Sequence, residues 1–122
     1  MAESRDLGSD VVKTDEVIGV DVKNTEKESL GNVHEIVLDK QNGNVRYVVL
    51  SFGGFLGMGD KLFALPWNAI SYDQQEECFI LNIDKDKLKN APSFDKDKWP
   101  NMSDKQWGQE IYNYYGSKPN WL

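Results

Sequence analysis

The feature that most constrains this fold is the dipeptide Asn42-Gly43, which lies between two apolar segments typical of β-strands. Both residues tolerate positive φ, the backbone conformation that a tight turn between antiparallel strands requires. Residues 30–39 before the turn and residues 45–52 after it are rich in Val, Ile and Leu. The sequence therefore predicts a β-hairpin, with one irregularity of alternation in the first strand that indicates a bulge.

Further segments of strand composition surround this hairpin. Residues 61–65 and 78–83 are short apolar runs, and Val20 and Val22 alternate with polar neighbours. Residues 45–52 are apolar on both faces, which is typical of a central strand whose outer face is also covered. Five or six short strands at this spacing predict an all-β fold, and we expect a small antiparallel β-barrel.

Residues 51–67 form an unusual connection between two of these strands. Its glycines, which allow a shaped turn, are Gly53, Gly54, Gly57 and Gly59. They separate Phe55, Leu56 and Met58, which are expected on the crest of the turn. The segment has neither the dinucleotide-binding spacing nor the Ser or Thr after Lys of a phosphate loop. Two interpretations stay open: the crest plugs the barrel, or it is presented outward as a contact surface.

Residues 91–122 differ in character because they hold half of the aromatic residues of the chain. These are Phe94, Trp99, Trp107, Tyr112, Tyr114, Tyr115 and Trp121. Ser103 and Gln106 match a capping box, and Gly116 is a stop signal, so an amphipathic helix is predicted at about residues 104–115. Its apolar face is expected to pack on the barrel or on a second copy, since an isolated helix of this length is marginal in water.

Three parts of the chain follow from these patterns. Residues 1–10 are polar and are expected to form a mobile leader. Residues 11–90 form the barrel domain, with single helical turns predicted near residues 14–16 and 84–90. Residues 91–122 are the C-terminal extension. Neither a signal peptide nor a membrane-spanning segment is evident, so we expect a cytoplasmic protein.

Several ordered motifs carry a resemblance over about residues 11–90. They are Leu30-Gly31-Asn32-Val33, Ile36-Val37-Leu38-Asp39, Gly43-Asn44-Val45-Arg46-Tyr47-Val48-Val49, Phe52-Gly53-Gly54-Phe55 and Leu65-Pro66-Trp67. In this order they resemble the PRC-barrel family. That family is known from the cytoplasmic domain of the photosynthetic reaction-centre H subunit, from the C-terminal domain of the ribosome maturation factor RimM, and from small stand-alone bacterial proteins.

The resemblance implies a small, strongly bent antiparallel barrel that serves as a binding or scaffolding module. It implies no catalytic residues common to the family. The H subunit has a membrane helix ahead of its barrel, and RimM has a further N-terminal domain, whereas only a short leader is expected here. Neither specific role is therefore carried over, and the stand-alone bacterial proteins are the more similar group.

Composition excludes several classes of function. The formal net charge of -6 disfavours nucleic-acid binding, which depends on clustered Lys and Arg. His34 is the sole histidine and Cys78 the sole cysteine, so a zinc site lacks ligands. A His-dependent catalytic arrangement would have to use His34, which lies on a predicted strand with no special local setting, so a structural or solvated histidine is favoured. Cys78 is expected to be a small buried hydrophobic residue. Glu76 and Glu77 are read as part of a polar turn rather than a proton relay. We therefore expect no enzyme activity, no catalytic residue, no cofactor and no metal.

The sequence predicts a protein that acts by binding another protein and that forms a homodimer. The candidate contact surface comprises Phe55, Leu56, Met58, Trp99, Trp107 and Tyr115. A rival hypothesis is a small-ligand protein or enzyme with a pocket between barrel and extension, lined by Trp67, Trp99 and Trp107. A third is association with RNA or the ribosome, as in RimM, which the absence of a basic stripe disfavours.

Overall fold

A computed structural model describes residues 11–53 and 61–119. Within these ranges there are six strands: β1 (Asp21–Lys23), β2 (Ser29–Leu38), β3 (Val45–Phe52), β4 (Lys61–Leu65), β5 (Ile70–Asp73) and β6 (Cys78–Leu81). The same residues form three α-helices: α1 (Thr14–Val17), α2 (Lys85–Lys89) and α3 (Lys105–Tyr114). A 3-10 helix at Trp67–Ala69 connects β4 to β5. The predicted strands, the two short helical turns and the C-terminal helix are therefore all found.

The sheet has the strand order β4-β3-β2-β1-β6-β5. Neighbouring strands are antiparallel except β1 and β6, which run parallel with Val22 opposite Phe79. Within the described residues, β4 and β5 are the edges and form no ladder with each other. The expected closed antiparallel barrel is thus only partly confirmed. Pro66, which lacks an N–H donor, and the 3-10 helix link these two edge strands in place of ladder hydrogen bonds.

The central hairpin joins β2 and β3 as predicted, but its turn is wider than two residues. Only Gly43 has positive φ there, at 79°. The loop is closed by hydrogen bonds from the Asp39 N–H to the Asn44 carbonyl (2.8 Å) and from the Gly43 N–H to the Asp39 carbonyl (2.7 Å). Asn42 contributes through its side chain, whose Oδ1 accepts from the Asn44 N–H at 2.9 Å. Its carboxamide, rather than a positive φ, thus shapes the turn.

The predicted irregularity in β2 is confirmed. The register against β3 shifts between Val33 and Glu35, which leaves His34 without an opposite residue. A second shift in β2 lies between Val37 and Leu38. Such shifts increase the local twist, so the sheet curls around its inner face.

The inner face of this curled sheet holds the main core. From β3 and β4 it includes Val48, Leu50, Phe52, Phe63 and Leu65, which are all buried. A curled sheet of short strands can enclose such a core because side chains alternate between its faces.

The outer face of β3 and β4 carries a second core, which confirms the prediction that the outer face of residues 45–52 is also covered. Tyr47 and Ala64 project outward from the strands and are packed against Ile111 and Tyr112 of α3. All four residues are buried. The C-terminal helix thus packs on the sheet of its own chain.

Helix α3 begins at Lys105, and both its N-cap and its first residue lie one position later than predicted. Asp104, not Ser103, is the N-cap, and its carboxylate accepts from the N–H groups of Gln106 and Trp107 at 2.9 and 3.3 Å. The predicted stop is correct. Gly116 has φ of 69°, and the N–H groups of Gly116 and Ser117 bond the carbonyls of Asn113 and Tyr112 in a Schellman arrangement.

Candidate functional site

The C-terminal extension is attached to the edge of the sheet before α3 begins. Leu62 of β4 and Phe94 exchange two backbone hydrogen bonds, each of 2.9 Å. Next to this bridge, the Lys61 Nζ lies 2.9 Å from the Asp95 Oδ1. The carboxyl group of Asp95 has a pKa below its usual value because of this hydrogen bond with Lys61. The bridge covers part of an otherwise open edge strand.

Aromatic rings fix the extension to the outer face of the sheet. The Tyr47 ring meets the rings of Trp107 and Tyr112 edge to face, with centroids 5.2 and 5.9 Å apart. The Tyr112 hydroxyl donates to the Arg46 carbonyl at 2.6 Å. These contacts make the extension an integral part of the folded domain.

The structure separates the residues of the predicted contact surface. Phe55, Leu56 and Met58 lie outside the described residues. Trp107 is half-buried against Tyr47, and Tyr115 is half-buried with its hydroxyl enclosed and without a hydrogen-bond partner within the described residues. Trp107 and Tyr115 are therefore mainly core residues.

Of the three members of this set that the structure describes, Trp99 is the most accessible, with 40% of its surface exposed. One side of its ring rests on Phe94, with centroids 5.0 Å apart, and His34 lies 6.4 Å away. Its indole N–H donates to the Lys96 carbonyl at 2.9 Å. The ring is thus held in place while part of its apolar surface faces solvent.

The position of Trp99 in the fold follows from the bridge beneath it. Phe94 pairs with Leu62, one residue from Lys61, where β4 begins after the glycine-containing segment. Phe52, at the other end of that segment, pairs with Lys61. Trp99 therefore lies at the end of the sheet where the glycine segment leaves β3 and returns to β4.

The tyrosines in and beside the second core have raised pKa values, which a titration can measure. Burial raises the pKa of Tyr47 to about 12, and burial also raises the pKa values of Tyr112 and Tyr115. Each phenol therefore keeps its proton in the folded chain above the pH near 10 at which it ionises in the unfolded chain.

We expect the Tyr47 contribution to the free energy of unfolding to be constant below about pH 10 and to fall as pH rises from about 10 to about 12, because the unfolded state deprotonates first. Urea denaturation at a series of pH values checks this, with Tyr47→Phe as the matched variant. Between about pH 10 and about pH 12, the free energy of unfolding of the wild type should fall relative to that of Tyr47→Phe. A pH-independent difference would contradict the burial of this phenol.

Other sequence candidates have structural roles. The Asp73 Oδ1 accepts from the Gln75 and Glu76 N–H groups at 3.0 and 3.2 Å, as expected for a polar turn. Glu76 also pairs with Lys23 and Lys27 at 3.8 and 3.5 Å. The region is a solvated turn bearing surface ion pairs.

The sole histidine and the sole cysteine of the chain can be located in the described residues. Across residues 11–53 and 61–119, no group of three or more His, Cys, Asp or Glu side chains could hold a metal ion. His34 is exposed on β2. Cys78 is buried, and burial raises the pKa of its thiol, which disfavours the reactive thiolate.

The three tryptophans of the rival ligand hypothesis do not converge on a pocket. Trp67 packs edge to face on Phe79 at 6.1 Å, whereas Trp99 and Trp107 pack on other parts of the molecule. Two clefts, of about 360 and 460 Å³, are lined by other residues. The larger lies between the end of α3 and a surface formed by the 3-10 helix, the end of β6 and α2, and its lining does not include these tryptophans.

The family profile of the PRC-barrel domain matches residues 9–88. The chain belongs to the PRC-barrel family. No curated protein matches it significantly. Phe94, Trp99 and α3 all follow the matched part of this PRC-barrel chain, so the cover on the outer face lies beyond the family domain.

No helix in the described part of the chain is long and apolar enough to cross a membrane.

Sequence reasoning missed the Leu62–Phe94 bridge, because Phe94 is flanked by polar residues and shows no strand alternation. The half-buried ion pair of Asp39 with Arg46 was also missed, although these residues flank the predicted turn and opposite charges there are a usable signal.

Proposed function

We propose that this PRC-barrel protein is a non-catalytic scaffold module that binds another protein and self-associates through the end of the sheet that carries Trp99. The observation that supports this most is the exposed Trp99 ring, which is held by the Lys96 carbonyl and packs on Phe94, the residue that bridges to Leu62 near the start of β4. Tryptophan is enriched at the energetic centres of protein interfaces. A ring already held by a hydrogen bond and by Phe94 also loses little conformational freedom on binding.

The sequence of the glycine segment supports the same end of the molecule. Phe55, Leu56 and Met58 are the large apolar residues between β3 and β4. The outer face of these strands is already covered by α3, so a partner there would have to displace the extension. Binding of a partner at the end of the sheet that carries Trp99 would not require the extension to be displaced.

The decisive test compares two tryptophans with similar exposure. Trp99 is 40% exposed and Trp67 is 36% exposed, and Trp67 packs on a different ring, Phe79. We expect light scattering to show a dimer whose dissociation constant rises about tenfold or more in Trp99→Ala and changes less than about threefold in Trp67→Ala.

Capture of protein partners from the native cell should show the same difference between the two variants. Equal behaviour of both variants, or a wild-type monomer whose captured proteins are unaffected by Trp99→Ala, would refute the proposal. Urea denaturation of each variant separates loss of binding from loss of folding.

A further inference from the structure

A cleft of about 360 Å³ lies between the β2–β3 hairpin and the residues that precede α3. Its volume is in the range of small-molecule sites, about 300–1,000 Å³. Val37, Leu38 and Met102 form an apolar part of its lining, and Lys40 and Arg46 contribute cations. It lies apart from Trp99 and is independent of the proposed protein contact.

The apolar side of the cleft packs partly on the second core and is partly exposed to solvent. Val37 and Met102 are partly buried and pack against the second core under α3. Leu38, the last residue of β2, is 51% exposed. An aliphatic group lying in the cleft would remove the exposed surface of Leu38 from water, which is favourable.

The charged wall is held rigid by a half-buried ion pair. Arg46 donates through Nε and Nη2 to the Asp39 Oδ2 at 3.1 and 2.8 Å, and the Asp39 side chain is only 10% exposed. The Gln41 N–H donates to the other Asp39 oxygen at 3.0 Å. The pKa of the Asp39 carboxyl group is lowered chiefly by the Arg46 hydrogen bond. The guanidinium is therefore fixed in direction before any ligand arrives.

The charges of the lining select the sign of the ligand. Asp39 and Arg46 neutralise each other, and Lys40 leaves the cleft with one net positive charge. This contrasts with the net charge of -6 of the whole chain. Electrostatic attraction at this location therefore favours an anionic group over a cationic one.

We propose that this cleft binds a small aliphatic carboxylate, with its hydrocarbon part against Leu38 and Met102 and its carboxylate towards Lys40. Two sources share this chemistry: a free short-chain acid, or the C-terminal residue of a peptide with an aliphatic side chain. The lining supplies both parts of the recognition, since apolar contact provides affinity and the cations provide selectivity.

Methyl-resolved NMR of the full chain tests the proposal, because the methyl groups of Val37, Leu38 and Met102 lie in the lining. The probes are hexanoate, N-acetyl-leucine as the mimic of a peptide C-terminus, and hexylamine as the charge-reversed control. We expect saturable shifts of these methyl signals with one or both carboxylates and none with hexylamine. The tighter of the two carboxylates identifies the source.

A pair of charge reversals controls for non-specific attraction. Lys40→Glu should weaken carboxylate binding about threefold or more, whereas Lys89→Glu, on α2 outside this lining, should leave it unchanged. Both lysines are exposed, so both variants should fold. Equal shifts with hexylamine, equal weakening by both variants, or no saturable shift of these methyl signals would overturn the proposal.

Discussion

Gly31→Ala is expected to lower the free energy of unfolding by about 3 kcal/mol or more. Gly31 lies in β2 at φ of 124°, a conformation that residues with a side chain rarely adopt. A Cβ at this position would lie 2.0 Å from the Ser51 carbonyl oxygen on β3. Because that oxygen belongs to the backbone of a central strand, relief of the clash requires the two strands to separate.

Gly19→Ala is the matched control for backbone strain. Gly19 also has positive φ, at 91°, but a Cβ there would meet nothing within 4 Å. This variant should lose only about 1–2 kcal/mol. Urea denaturation of both variants gives the two values. Equal losses would show that backbone strain, and not the approach of β3 to β2, determines the need for glycine at position 31.

Tyr47→Ala is expected to lower the free energy of unfolding by about 3–5 kcal/mol, because it leaves a cavity in the second core. Tyr47 is fully buried between β3 and α3, in edge-to-face contact with Trp107 and Tyr112. Loss of the ring should also loosen α3, whose amide protons should exchange faster. Hydrogen exchange followed by NMR measures this change locally.

Tyr47→Phe keeps the ring and removes only the hydroxyl, so it should cost less than about 1.5 kcal/mol. The comparison separates packing from the polar contribution of the phenol. A loss below about 1 kcal/mol for Tyr47→Ala, or unchanged exchange in α3, would mean that the extension is not packed on this face in solution.

The sequence predicted the local elements well because their signals are local. The turn residues Asn42 and Gly43 and the apolar composition of residues 45–52 were sufficient for the central hairpin. Gly116 was sufficient for the end of α3. The start was misplaced by one residue because Ser103 and Asp104 are both good caps, and only the folded backbone shows whose oxygen reaches the free N–H groups.

Long-range pairing was not predictable in the same way. The parallel pairing of Val22 with Phe79 joins segments far apart in the chain, and no residue pattern specifies it. The same limit applies to the candidate site. Trp99 and Trp107 are the same residue type in the same aromatic-rich extension. Only the folded structure, in which Trp107 packs on Tyr47, shows which of the two belongs to the core.

The proposed contact through Trp99 requires that the extension cover the outer sheet face of its own chain and leave Trp99 exposed. The most direct test is an isotope-filtered NOE measurement on a mixture of labelled and unlabelled protein, observing the Tyr47 ring and the Ile111 methyl groups, which belong to one buried cluster. We predict strong NOEs between them within a molecule and none between molecules. Absence of these NOEs, or their appearance between molecules, would contradict the account, since the extension would then be free or exchanged between copies.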